Sequence, residues 1–136
     1  MRTVPDDPVD LLRRESRSLV QRLRLWTPAR YAAAAPLHGT RGDLVHRLVQ
    51  VLADGAADIE AGPRRAVPRL DSDLALADQL AVVSDDLVRA RPPEQVARDA
   101  TAHLLLARRD LLGEEVPPSL AHALDLEQPR DAPERP

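Results

Sequence analysis

Three side chains of this sequence, His46, Asp99 and His103, have types and spacing that could bind a divalent metal. Asp99 precedes His103 by four residues, so both would lie on one face of a helix. His46 belongs to a second helical segment, and metal sites in helix bundles are built from side chains on facing helices. A catalytic zinc-type site uses about three protein ligands and one open position. These residues are therefore candidate metal ligands, and a core histidine that bonds to a carbonyl or carboxylate is the alternative interpretation.

The helix that would carry Asp99 and His103 is predicted from Val96 to Leu112. Two prolines and Glu94 before it, and Gly113 after it, are typical of helix boundaries. Apolar residues recur at steps of three and four, the spacing of one helical face. They are Val96, Ala100, Leu104, Ala107 and Leu111, and His103 falls within the same stripe. We therefore expect His103 to point into the core of the fold.

The rest of the chain must supply the helices that face this one. Three further long helices are predicted from Pro8 to about Trp26, from about Asp43 to Glu60 and from Asp73 to about Arg89. Short helices are predicted at Ala29 to Ala35 and after Pro117, where Leu120, Leu124 and Leu126 form an apolar stripe. No segment alternates apolar and polar residues between turns, so no strand is expected. The sequence predicts an all-α four-helix bundle, whose link 29–42 is long enough for a crossover.

The distribution of polar and apolar residues divides the chain into three parts. Residues 1–7 are expected to form a flexible N-terminal arm, residues 8–126 a single helical domain, and residues 127–136 a disordered tail rich in proline and charge. Hydrophobic residues make up 43% of the chain but aromatic residues only 1%. The core should therefore consist of leucine, valine and alanine.

The charge and cysteine content limit the partners that we expect. The net charge is −3, and the arginines are dispersed among acidic residues, so nucleic-acid binding is not expected. The absence of cysteine excludes disulfides and thiol nucleophiles supplied by the chain. No apolar run approaches about 18 residues and the start lacks the apolar stretch of a signal peptide. We therefore expect a cytoplasmic protein that does not bind membranes.

Three segments match motifs of one known family. Residues 25–33 read LWTPARYAA, residues 39–48 read GTRGDLVHRL and residues 103–111 read HLLLARRDL. They resemble L-T-P-x-x-W-A-x-P, G-W-T-V-R-D-V-V-A-H-L and E-x-x-x-H-x-x-D-L in the DinB-like superfamily, in its mycothiol-dependent maleylpyruvate isomerase-like branch. The resemblance covers roughly residues 10–113 and implies a four-helix bundle.

The resemblance also implies a ligand set and two possible functions. Family members are expected to hold a divalent metal of the zinc or nickel type that activates a low-molecular-weight thiol or its adduct. His103 matches the first ligand position of the last long helix, Ala107 stands at the second, and His46 matches the remaining one only after a one-residue shift from Arg47. The first hypothesis is a metal or thiol-ligand pocket in the bundle core that acts on a thiol-linked small molecule. The second is a non-catalytic interaction or dimerisation module with a degenerate metal site, which Ala107 favours.

Overall fold

A computed structural model of the protein describes residues 7–124, and most of these residues are helical. Its elements are α1 (Pro8–Leu23), α2 (Pro28–Ala32), β1 (Ala34–Ala35), β2 (Gly39–Thr40), α3 (Arg41–Ile59), a 3-10 helix (Asp73–Ala75), α4 (Leu76–Arg89), α5 (Glu94–Leu112) and α6 (Pro118–Ala123). The predicted all-α class is confirmed. Residues 1–6 of the expected arm, the expected tail and Leu126 lie outside the described residues.

Local signals in the sequence begin and end these helices. Asp7 accepts a hydrogen bond from the backbone N–H of Val9, and Pro8 occupies the first turn of α1. Thr40 and Asp43 form a reciprocal capping box at the start of α3, two residues before the predicted start. Gly113 ends α5 in the left-handed conformation with φ 71°, as predicted.

The four long helices pack as a bundle in which α1 and α3 each contact both α4 and α5. Helices α1 and α5 run in the same direction, because Glu15 pairs with Arg108 and Arg22 pairs with Glu114 beyond it. Helices α3 and α4 also run in the same direction, since Gly42 lies beside Asp73. The α3–α4 connection must therefore return along the length of the bundle.

Residues 60–72, the crossing segment, make that return. The Nε2 of His46 donates to the carbonyl of Val67 at 2.9 Å, and Gln50 bonds to the backbone of the same stretch. Gln79 of α4 donates to the carbonyl of Pro68 at 3.0 Å. The link 29–42, although long enough for a crossover, does not make one. That link instead contains α2 and a small hairpin at one end of the bundle.

The hairpin corrects the expectation that the chain has no strand. Ala34 pairs with Thr40 and Ala35 with Gly39, antiparallel, across a turn in which Leu37 has φ 74°. Strands of two residues are too short to show an alternating pattern, and their hydrogen bonds join residues that the periodicity of the sequence does not relate.

Leucine, valine and alanine fill the core, as the composition predicts. The cluster also includes Trp26 and Tyr31, whose ring centroids lie 5.1 Å apart. The apolar spacing also predicts Leu80 and Val83 in the core. Leu80, Leu104 and Leu111 are at most 3% exposed, whereas Val83 is only partly buried. The Tyr31 hydroxyl donates to the Leu23 carbonyl at 3.0 Å, which closes the core at the end of α1.

Candidate functional site

The structure places His103 on the exposed side of α5, so the prediction that it points into the core is wrong. The buried side of α5 consists of Ala97, Ala100, Thr101, Leu104, Leu105, Ala107 and Leu111. Successive residues of a helix are rotated by about 100°. His103 precedes the buried Leu104 by one residue and therefore lies beyond the edge of the stripe, where neither α1 nor α3 covers it.

His46 serves the fold rather than a ligand set in this structure. Its Nε2 donates to the Val67 carbonyl, and the side chain is partly buried beneath the crossing segment. This bond matches the alternative interpretation of a histidine that pairs with a carbonyl. Arg47, which aligns with the family's histidine position, donates to the ring and the carbonyl of His38 and so holds the hairpin against α3.

Asp99 and His103 do share one groove, between α3 and α5, with a volume of about 320 Å³. Asp54 and Asp58 of α3 line it as well. Arg64 donates to both oxygens of Asp58 at 3.0 and 2.6 Å and lies 3.8 Å from Asp54, and these bonds lower the pKa of the Asp58 carboxyl. The acidic groups are thus already neutralised in part by an arginine of the crossing segment.

The metal interpretation requires His46, Asp99 and His103 to converge, and they are not brought together. His46 is bonded beneath the crossing segment, while the other two line the α3/α5 groove. Asp99 accepts a hydrogen bond from Gln95 at 2.9 Å. Within residues 7–124, no group of three or more histidine, aspartate or glutamate side chains is placed where it could hold a metal ion.

A different surface covers the Ser84 Oγ, one of the two buried side-chain atoms without a hydrogen-bond partner within the described residues; the other is the Oε1 of Gln79. A groove of about 310 Å³ lies between α1 and α4, which run antiparallel, and its lining includes Ser16, Arg17, Gln21, Ala81, Ser84 and Asp85. We call this surface the α1/α4 face. The side chain of Ser84 is 2% exposed, and its Oγ has no hydrogen-bond partner within the described part of the chain.

Ser16 provides an internal comparison for Ser84. It faces the same groove and is 3% exposed, but its Oγ donates to the carbonyl of Arg13 at 3.0 Å. A buried serine that bonds back to its own helix is satisfied. Ser84 is not, and a buried hydroxyl without a partner costs about 1–3 kcal/mol. Ser84 therefore differs from an ordinary core serine.

The two sides of the α1/α4 face carry opposite charge. Arg17 and Arg24 project from α1, and Asp78 and Asp85 project from α4. Arg24 and Asp78 form an ion pair at 3.2 Å, whereas Arg17 and Asp85 form none with any residue of the range 7–124. One helix therefore presents a basic ridge and its neighbour an acidic ridge, on either side of the buried Ser84.

Two serines in the sequence point to this face, although each stands among the apolar residues of a helical stripe. Ser16 follows Leu12 by four residues and Ser84 follows Leu80 by four, so both serines occupy core positions of their helical stripes. A polar residue at a core position needs a partner. A search for polar residues at the core positions of each helix would therefore have identified both serines.

Comparisons of the chain with family models, with curated proteins and with solved structures found no match. None of the helices within residues 7–124 combines the length and the apolar character needed to cross a bilayer.

Proposed function

We propose that this protein is a non-catalytic helical interaction module whose α1/α4 face binds the surface of another folded chain. The observation that carries the proposal is a groove between a basic and an acidic ridge, which lies over the buried, unpartnered hydroxyl of Ser84. A partner with the complementary charges would pair with the exposed Arg17 and Asp85 and exclude water from them.

Ser84 is an unusual residue for the core beneath this groove. An alanine at this position would fill almost the same space without the cost of about 1–3 kcal/mol for an unpaired hydroxyl. Residues that break such a local rule concentrate at functional sites, where another interaction compensates them. The opposed ridges add specificity, because charges across an interface steer association and disfavour partners of the wrong charge pattern.

The placement of the candidate ligands favours this role over metal-dependent chemistry on a thiol-linked small molecule. His103 is exposed and His46 is bonded to a backbone carbonyl. Ala107, at the second ligand position that the family resemblance implies, is 6% exposed and belongs to the core cluster. A metal bound in the bundle interior would have neither histidine available without rearrangement, and the alanine side chain has no donor atom.

Paired substitutions of the two buried serines test the proposal. Ser84→Ala and Ser16→Ala both gain the same helix propensity, so the difference between them isolates the hydroxyls. The comparison uses protein so dilute that light scattering shows only the monomer. The free energy of unfolding, measured in urea, should then be higher for Ser84→Ala than for Ser16→Ala by about 1.5 kcal/mol or more. A loss of stability in Ser84→Ala as large as that in Ser16→Ala would overturn the proposal, because the hydroxyl would then be satisfied in the isolated fold.

A further inference from the structure

We infer that the partner of the α1/α4 face is a second copy of this chain, related to the first by a two-fold axis parallel to the helices. The inference rests on the proposed interaction function and names its partner. Three features of the face carry it: the register of its charges, the symmetry that this register permits, and the exposure of Val82.

The register follows from the one ion pair that α1 and α4 form with each other. Arg24 pairs with Asp78, and the two helices run in opposite directions. Seven residues back along α1 is Arg17, and seven residues forward along α4 is Asp85. Both steps cover about 10 Å of helix axis, close to two turns. Arg17 and Asp85 therefore lie at one level on opposite sides of the groove, both exposed and both unpaired within residues 7–124.

A two-fold axis that lies in the interface, parallel to the helices, keeps each residue at the same height along the helices in both copies. It places α1 of the second copy over α4 of the first, and α4 of the second copy over α1. Arg17 of each copy then faces Asp85 of the other, so the same pair forms twice, as an isologous interface requires. An axis perpendicular to the helices would instead place α1 against α1 and arginine against arginine, which like-charge repulsion disfavours.

Val82 fits the same arrangement. It is 58% exposed on α4 and would be covered by the second α1. A guanidinium has several N–H donors in a planar fork, so Arg17 of the second copy can bond to both oxygens of the Asp85 carboxylate. The dimer would thus cover an exposed apolar side chain and pair the exposed charges of the face.

A charge-reversal cycle measured by sedimentation equilibrium tests the inference. We expect the wild type to dimerise, Arg17→Asp and Asp85→Arg each to raise the dimer dissociation constant by about tenfold or more, and the double variant to restore most of the affinity. Arg109→Asp is the matched control, since Arg109 is exposed on α5 and the substitution makes the same charge change; it should leave dimerisation unchanged. Circular-dichroism melts check that every variant folds. If a charge-reversal variant does not fold, Arg17→Gln or Asp85→Asn takes its place, and each of these should also weaken the dimer.

Two results would overturn the inference. A wild type that stays monomeric up to millimolar concentration excludes the second copy, whereas the serine comparison above tests the proposed function separately. A dimer that resists both charge changes, or that the double variant fails to restore, places the interface elsewhere on the molecule.

Discussion

Replacing Gln50 with leucine should loosen the crossing segment, because this one side chain holds it at two points. The Oε1 of Gln50 accepts a hydrogen bond from the backbone N–H of Val67 at 2.8 Å, and its Nε2 donates to the Arg65 carbonyl at 3.0 Å. The same Nε2 donates to Asp54, one turn along α3, at 2.9 Å. Leucine has a similar helix propensity and volume but makes none of these bonds.

The expected loss can be worked from the two bonds to the crossing segment. A hydrogen bond in a folded protein contributes a net 0.5–1.5 kcal/mol, so the free energy of unfolding should fall by about 1–3 kcal/mol. Leucine cannot accept from the partly buried Val67 N–H, which favours the upper half of this range. Amide exchange at Val67 should accelerate with the loss.

The chain offers a matched control in Gln95→Leu. Gln95 also donates to an aspartate four residues later, Asp99, at 2.9 Å, but it makes no bond to another segment within residues 7–124. A surface pair of this kind contributes about 0.2–0.5 kcal/mol. Urea unfolding followed by the fluorescence of Trp26, the one tryptophan of the chain, measures both variants. Equal losses in the two variants, or unchanged exchange at Val67, would refute the assignment of Gln50 as the residue that holds the crossing segment.

Two further substitutions test the start of α3 and Ala107, which stands at a ligand position that the family resemblance implies. Hydrogen bonds from Arg69 and then from the Thr40 backbone lower the pKa of Asp43 from 3.8 to about 2. A lowered pKa stabilises the fold above the unfolded value, and that stability is lost as the pH falls from 3.8 towards about 2. Asp43→Asn should therefore flatten the dependence of urea unfolding on pH in this window; an unchanged slope would contradict the bond to Arg69. Ala107→His should destabilise the fold by about 1–3 kcal/mol, because it overfills the core. It should give no zinc-dependent shift in melting temperature, and a clear shift would reinstate the metal site.

The local elements of the fold follow from the sequence because the interactions that define them are local. The sequence predicts Gly113 as a helix end, Asp7 as a cap of the first long helix and either Asp71 or Ser72 as a cap of the third. In the structure Asp7 and Ser72 cap their helices and Gly113 ends α5. The stripes of leucine and valine along the helices were also predictable from the sequence. A cap involves residues two or three apart and a stripe repeats every turn, so both can be read without knowing what lies opposite.

The sequence does not predict which residues at the edge of each buried face are covered by a neighbouring helix. The stripe of α5 is wide, and His103 lies at its margin. Whether a marginal residue is covered depends on where the neighbouring helices cross, and α1 and α3 leave this side of α5 open. The same limit applies to the crossover. The lengths of the links allowed more than one arrangement, and only the direction of α4 relative to α3 decided which link returns along the bundle.

Ser16 and Ser84 show most directly what the sequence determined and what tertiary structure decided. Both serines follow a core leucine by four residues, so the sequence placed both in buried positions. It could not say that Ser16 would bond to the Arg13 carbonyl while the Ser84 hydroxyl would remain unpaired. The pairing of a buried hydroxyl depends on its rotamer, and the packing of the neighbouring helices decides which rotamers a buried side chain can adopt.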